Sequence, residues 1–398
     1  MDAETWSLKA RWVLPVLTPP VENGVIEIAG DKIVGVRQGG GATVDLGDVI
    51  LLPGLVNAHT HLDLTGFPRP EEPPATFADW IRLVIRHRLR ESPEQRWEAI
   101  RAGINQSLRH GVALLGDISS DGSSARLLAG QPIGSTVYHE VLGVNARRAD
   151  QTREAALAWV QETSSLETVR GLSPHAPYST RHDLFAWAVS RCEPIQVHLA
   201  ETPEEMELMA RGTGPLVEML RELNLWPATG LSGSIGEVLD WLAAGTKARP
   251  LGLVHANCLP VSMASRLGSN VTIIHCPRTH RWFGRDPFPA SQWMKAGVPL
   301  ALGTDGEACN RDLDILAEAR EFALRHNLIS PQSILEMITL NGAAVLGWRG
   351  RAGALVAGHF ADALAFPVDS ASPRSCPVEQ VLGGLQKPCR FLWRGRWR

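Results

Sequence analysis

The sequence predicts an α/β chain: a closed barrel of parallel strands beside a small β domain drawn from both ends. Three observations carry that expectation. Through the middle of the chain, short apolar runs alternate with longer stretches of helical periodicity. Both ends instead show brief apolar–polar bursts broken by glycine and turn-forming residues. Several of the central apolar runs stop at a histidine or an aspartate.

Taken in order, residues 5–50 read as several short strands, in "WSLKARWVLP", "GVIEIAGDKIVGV" and "ATVDLGDVI". The same texture returns in "AGALVAGHFADALAFPV" and "PCRFLWRGRWR". Between them, strands are expected at 54–60, 112–117, 135–141, 169–174, 194–199, 251–256, 270–276 and 299–304. Helices are expected at 76–110, 151–165, 181–191, 203–211, 233–245, 260–268, 312–326 and 331–346. Eight strand–helix units in succession favour a closed barrel over an open sheet. The basic, amphipathic stretch 76–110 is expected to cover the barrel, closing the pocket or forming a homodimer contact.

The 398 residues are 44% hydrophobic and 20% charged, as suits a soluble globular core. The net charge of −3 argues against nucleic acid or an anionic membrane as partner. No apolar run approaches the ~18 residues a membrane span needs. Cys192, Cys258, Cys276, Cys309, Cys376 and Cys389 form no C-x-x-C pair and read as free thiols of a reducing compartment. The acidic start "MDAETWSLKARWVLP" does not read as a signal peptide, so a cytoplasmic location is expected.

The chemistry lies at the ends of the predicted strands. In "GLVNAHTHLDLTG", His59 and His61 close an apolar run. Alternate strand residues share a face, and the C-terminal end of a barrel strand is where barrel sites lie. "PIQVHLAET" ends its run at His198, "LGLVHANCL" at His255 and "VPLALGTDGEACN" at Asp305. Three of these histidines with the aspartate suit a borderline divalent ion, Zn²⁺ first and Fe²⁺ as the alternative. Glu201 follows His198 by one turn in "HLAE", close to a water on such an ion; its other reading is a charge on the first turn of the next helix.

Together, "LLPGLVNAHTHLDLTG", "SPHAPYS", "VHLAET", "LVHANCL", "LGTDGEACNRDLDIL" and "GALVAGHFADALAF" resemble the amidohydrolase superfamily. The resemblance is to its aminohydrolase branch: guanine, cytosine, S-adenosylhomocysteine/methylthioadenosine and aminofutalosine deaminases, with triazine chlorohydrolases nearby. It implies a (β/α)8 TIM barrel over residues 53–352 and a small β-sandwich-like domain from 1–52 plus 353–398. Carried over by position, His59, His61, His198 and Asp305 bind the metal, and Glu201 is the proton shuttle. His255 orients the metal-bound water, Asp305 also accepts its proton, and His175 of "SPHAPYS" contacts substrate. The fourth strand, "VRGLSPHAPYS", lacks the lysine that bridges two metals in binuclear relatives, so one ion is implied.

The implied reaction is hydrolytic deamination of a purine base or adenosine-type nucleoside, with ammonia released after attack by metal-bound hydroxide. Hydrolysis of a cyclic amide, a dipeptide or a C–Cl bond is the alternative on this fold, and a non-catalytic binding protein the third reading. The chain lacks the P-C-x-x-C of nucleic-acid-editing deaminases, which argues for a small-molecule substrate. One stretch departs from the family pattern: "IIHCPRTHRWFGRDPFP" stands where an Asn-Pro-x-Ser-Asn-like run is common. Guanidinium groups beside aromatics suit a planar anionic ligand, so Arg278 and Trp282 are expected to touch substrate; a structural loop is the other reading. Aminofutalosine, with a carboxylate on its aromatic arm, fits that expectation. Cys309, where serine is common, reads as a packed residue rather than a nucleophile.

Overall fold

A computed structural model describes residues 5–162, 165–191, 193–226, 231, 233–245, 249–369, 376–384 and 387–398; Cys192 lies outside them. The barrel strands are β1 (Leu55–Thr60), β2 (Val112–Ser119), β3 (Gly134–Val141) and β4 (Thr168–Pro174), then β5 (Ile195–Leu199), β6 (Leu251–His255), β7 (Val271–His275) and β8 (Leu300–Leu302). They form one eight-stranded sheet in chain order, every pair parallel. β8 returns to β1, where the Thr304 and Asp305 amides donate to the His59 carbonyl at 3.0 and 3.1 Å and Thr60 bridges Asp305. The (β/α)8 expectation holds, and its strand positions are met to within a few residues.

The termini build a separate eight-stranded sheet. Its order runs 396–397, 390–393, 363–367, 49–53, 5–13, 21–29 and 32–38, with 44–45 also pairing to 5–13. Strand 49–53 leads directly into β1, so this sheet anchors the strand that carries two of the histidines.

Helices differ from expectation where local chemistry interrupts them. The stretch 76–110 is two helices, Phe77–Arg90 and Pro93–Arg109. Ser92 caps the second with a reciprocal Gln95 contact, and Pro93 has no N–H to continue the first. The stretch 331–346 breaks at Thr339, and 260–268 tightens into a 3₁₀ helix at Val261–Arg266. Helices at Pro215–Glu222, Pro277–Trp282 and Ala290–Lys295 were not expected.

The barrel interior is apolar at the base. Val56, Ala58, Leu114, Ile118, Tyr138, Val254, Ile274 and Ala301 pack there with Leu346 and Trp348. A second apolar layer joins the outer strand faces to the helices. Polar side chains therefore collect at the opposite, C-terminal end. Gly303 lets β8 approach β1 there: an added Cβ would lie 2.8 Å from the His59 Cβ and carbonyl oxygen. Gly303→Ala is expected to lower stability by about 1–3 kcal/mol and to weaken metal uptake. Parent-like melting and metal content in that variant would contradict the close approach.

Candidate active site

Each metal-compatible residue reaches the barrel mouth by a different local device. On β1, Ala58 packs in the interior, and the register against β2 shifts between Asn57 and Thr60. Such a bulge re-aims the residues that follow it, here His59 and His61. On β5, His198 alternates regularly with Gln196. On β6, Val254 faces the interior, so regular alternation would send His255 outward. Instead His255 adopts a left-handed φ of 69°, and Asp305 after β8 one of 58°. Histidine and aspartate are among the residues that tolerate this region. β7 is the control: His275 follows interior Ile274 without such a turn and stays in the helix layer, stacked on Phe288 at 4.2 Å.

The converging atoms form one buried cluster. Ligand atoms of His59, His61 and His198 lie within 4.8 Å of one another, as do those of His59, His255 and Asp305. Asp305 Oδ1 is 3.7 Å from His59 Nε2 and 3.6 Å from His61 Nε2, and Oδ2 is 3.8 Å from His255 Nε2. Gln196 Nε2 donates to the Ala58 carbonyl at 2.8 Å, so its Oε1 accepts from His59 Nδ1 at 3.0 Å. That tautomer leaves His59 Nε2 as a buried lone pair without a hydrogen-bond partner. His198 Nδ1 donates to the His175 carbonyl at 3.2 Å, freeing its Nε2 in the same way. Burial pushes the pKa of His61 and His198 well down, and that of Asp305 is well below the usual carboxylate range because the histidines around it outweigh its own burial. Imidazole nitrogens together with a carboxylate are the donor set of a divalent cation.

Glu201 stands beside this cluster. Its Oε2 is 3.7 Å from His255 Nε2, and its Oε1 accepts from Arg285 Nη2 at 2.8 Å. Burial raises its pKa, with Arg285 pulling the other way. Beneath it, Glu205 accepts from the Ala200 and Glu201 amides at 2.9 and 2.8 Å. Burial pushes the Glu205 carboxyl up to about 8. His175 ends on the same wall, with Nδ1 2.7 Å from Ser179 Oγ and its ring 4.8 Å from that of His198. Burial first, then Arg88, brings its pKa down to about 3, so the ring meets a ligand uncharged.

A cavity of about 440 Å³ opens from these groups. Its inner end is lined by His61, His175, His198, Glu201, His255 and Asp305. Its outer end is apolar: Trp80, Ile81, Val84 and Ile85 of helix 77–90 face Met219 and Leu220 of helix 215–222. Helix 77–90 thus closes the pocket, one of the two uses expected of it. Arg88 and Arg148 line the wall, Arg88 held by Asp63 and Glu140 at 3.1 Å each.

The loop after β7 is arranged differently from expectation. Arg278 pairs with Asp312 at 2.6 Å, and its amide donates to Glu318 at 2.8 Å. The Trp282 indole N–H donates to the Glu71 carbonyl at 3.2 Å. Neither side chain lines the cavity, because the helix 277–282 turns them towards neighbouring elements. Arg285, in the same loop, reaches the site instead, at Glu201. Cys309 lines the cavity, and burial drives its thiol pKa well up, as suits a packed residue. Sequence reading also passed over Gln196 and Glu205. Their spacing held a signal: Gln196 is two residues before His198 on one strand face, and Glu205 is one helical turn beyond Glu201.

A parallel barrel with such a mouth defines a class of hydrolase in which a bound cation, not a side-chain nucleophile, activates the attacking water. The model of the amidohydrolase family matches residues 50–395, and the chain belongs to that family. The chain is 30% identical over 332 residues to the aminodeoxyfutalosine deaminase of Deinococcus radiodurans, covering 79% of this chain and 77% of the relative. Its fold is that of the Helicobacter pylori aminofutalosine deaminase solved with methylthio-coformycin: TM-score 0.87, 20% identity, 99% of this chain and 100% of the other. It is also that of a zinc-bound adenosine deaminase from Xanthomonas campestris: TM-score 0.81, 21% identity, 98% of this chain and 92% of the other. Among the described residues, no helix is long and apolar enough to cross a membrane.

Proposed function

We propose that the protein is a metal-dependent deaminase of adenosine-type nucleosides that carry an apolar or aromatic group at the 5′ end. The observation that carries this reading is a buried carboxylate, Glu201, beside a buried His/His/His/Asp cluster at the polar end of a cavity whose other end is apolar. The relative named for aminodeoxyfutalosine and the neighbour solved with methylthio-coformycin support it.

His59, His61, His198 and Asp305 would hold one divalent ion, Zn²⁺ by their chemistry. When bound, that ion supplies a water activated near neutral pH. His255 would orient the attacking water, and Asp305 would accept its proton. Glu201 gives a proton to the ring nitrogen beside the amino-bearing carbon, which makes that carbon more electrophilic. As the water's oxygen bonds to that carbon and the C–N bond breaks, the proton held by Asp305 would pass to the leaving amino group and the remaining hydroxyl proton to the Glu201 carboxylate, releasing ammonia. His175, uncharged, faces the heterocycle. The sugar's 5′ substituent lies between helices 77–90 and 215–222, and Arg148 is the guanidinium available to an anionic arm. A free base such as guanine or cytosine would leave that apolar end unfilled.

Ammonia release from zinc-loaded protein tests this, with adenosine, methylthioadenosine, S-adenosylhomocysteine, aminofutalosine, guanine and cytosine as the panel. An apolar 5′ group is expected to raise kcat/KM over adenosine by about 10-fold or more, the scale of one or two buried methylene-sized groups. Preference for guanine or cytosine, or no ammonia from any nucleoside, would sink the reading.

A further inference from the structure

We infer that Arg285 is a positioning residue for the reaction: it grips Glu201 by one carboxylate oxygen and keeps the other turned towards His255 and the substrate. The inference rests on the deaminase reading and adds a residue to it. Its basis is the geometry of the loop after β7. The helix Pro277–Trp282 ends at Phe283, and Gly284 reverses the chain with a left-handed φ of 63°. That turn drops Arg285 back over the barrel, where its side chain is only 10% exposed. The guanidinium lies over the Phe283 ring at 4.4 Å and 5.8 Å from the Phe77 ring centre. Aromatic faces on a buried guanidinium restrict where its donors point.

One donor, Nη2, meets Glu201 Oε1 at 2.8 Å. The Glu201 main chain is held separately: Asn257 Nδ2 donates to its carbonyl at 3.1 Å, and Glu205 accepts from its amide. The loop carrying Arg285 is held by His280, whose Nε2 donates to the Asp286 carbonyl at 2.7 Å. Glu201 is thus fixed at its amide, its carbonyl and one carboxylate oxygen. Only Oε2 remains for chemistry, 3.7 Å from His255 Nε2. A surface ion pair would have no reason for this double attachment. A carboxylate that must meet a ring nitrogen in one orientation does.

The test is steady-state deamination of methylthioadenosine by the zinc-loaded parent, Arg285→Gln and Arg285→Lys, with metal content and melting temperature measured on each. Arg285→Gln is expected to lower kcat by about 10- to 100-fold with KM within about threefold, the signature of lost alignment rather than lost binding. Arg285→Lys, which keeps the charge but loses the planar guanidinium over Phe283 and Phe77, is expected to recover only part of that loss. A kcat for Arg285→Gln within about twofold of the parent overturns the inference, as does a rise in KM alone. So does full recovery by lysine, within about twofold of the parent, which would leave Arg285 only its charge. If the parent itself releases no ammonia from any nucleoside, the deaminase reading fails and takes this inference with it. An active parent with indifferent Arg285 variants defeats the inference alone.

Discussion

Glu201→Gln is expected to retain one metal ion per chain and to deaminate at least about 100-fold more slowly than the parent, the lower end of what general acid–base catalysis supplies. The substitution is nearly isosteric. The amide oxygen of Gln can still accept from Arg285, now at 2.8 Å from Glu201, so the pocket wall should keep its shape. Glutamine cannot give up a proton to a ring nitrogen. The carboxylate lies 3.7 Å from His255, which is not placed among the four metal ligands, so metal uptake should be untouched. Metal analysis and ammonia release on the same sample separate the two roles. Full turnover by this variant would remove the proton shuttle from the mechanism, and an empty variant would move Glu201 into the metal site.

The second large effect is expected at Asp305. Its carboxylate is the one ionised group lying 3.6–3.8 Å from the ring nitrogens of His59, His61 and His255. Its pKa is held well below the ordinary value by those histidines despite complete burial. Asp305→Asn keeps size and tolerates the left-handed φ of 58°, but it takes the only negative charge from the ligand set. Metal affinity is expected to fall by about 10- to 100-fold or more, since even partners of metal ligands cost that much when lost. Turnover should fall further than metal content, because the proposed acceptor of the water's proton is gone too. Titration with Zn²⁺ under a competing chelator measures the first effect, and kcat at saturating metal the second. Parent-like zinc affinity would show that the histidines alone hold the ion.

The barrel was readable because its strands are buried on both faces and so appear as apolar runs bounded by turns, as in 112–119 and 271–275. Strand positions came through better than helix boundaries. Helix ends depend on single caps and prolines, and Ser92 with Pro93 divided what periodicity alone had joined. The helices 215–222 and 277–282 escaped notice because they are only 8 and 6 residues long, too short for periodicity to declare them. Composition does not separate Arg278 from Arg285, since both guanidiniums stand in one loop beside the same aromatics. Which guanidinium faces the site depends on the turn at Gly284 and on Asp312, neither of which spacing reveals.

That histidines and an aspartate stand at the ends of barrel strands is legible locally, because a strand's end is marked by where its apolar run stops. The sequence by itself could not determine which way each one faces. His255 and His275 both close their strands and both follow a residue of the barrel interior. One enters the cluster through a left-handed backbone at 69° and the other stays outside against Phe288. The tertiary structure decided this, because the direction of a strand-end side chain is set by its backbone angles and by bulges in register with neighbouring strands. Those neighbours are joined only when residues as distant as His59 and Asp305 are brought side by side.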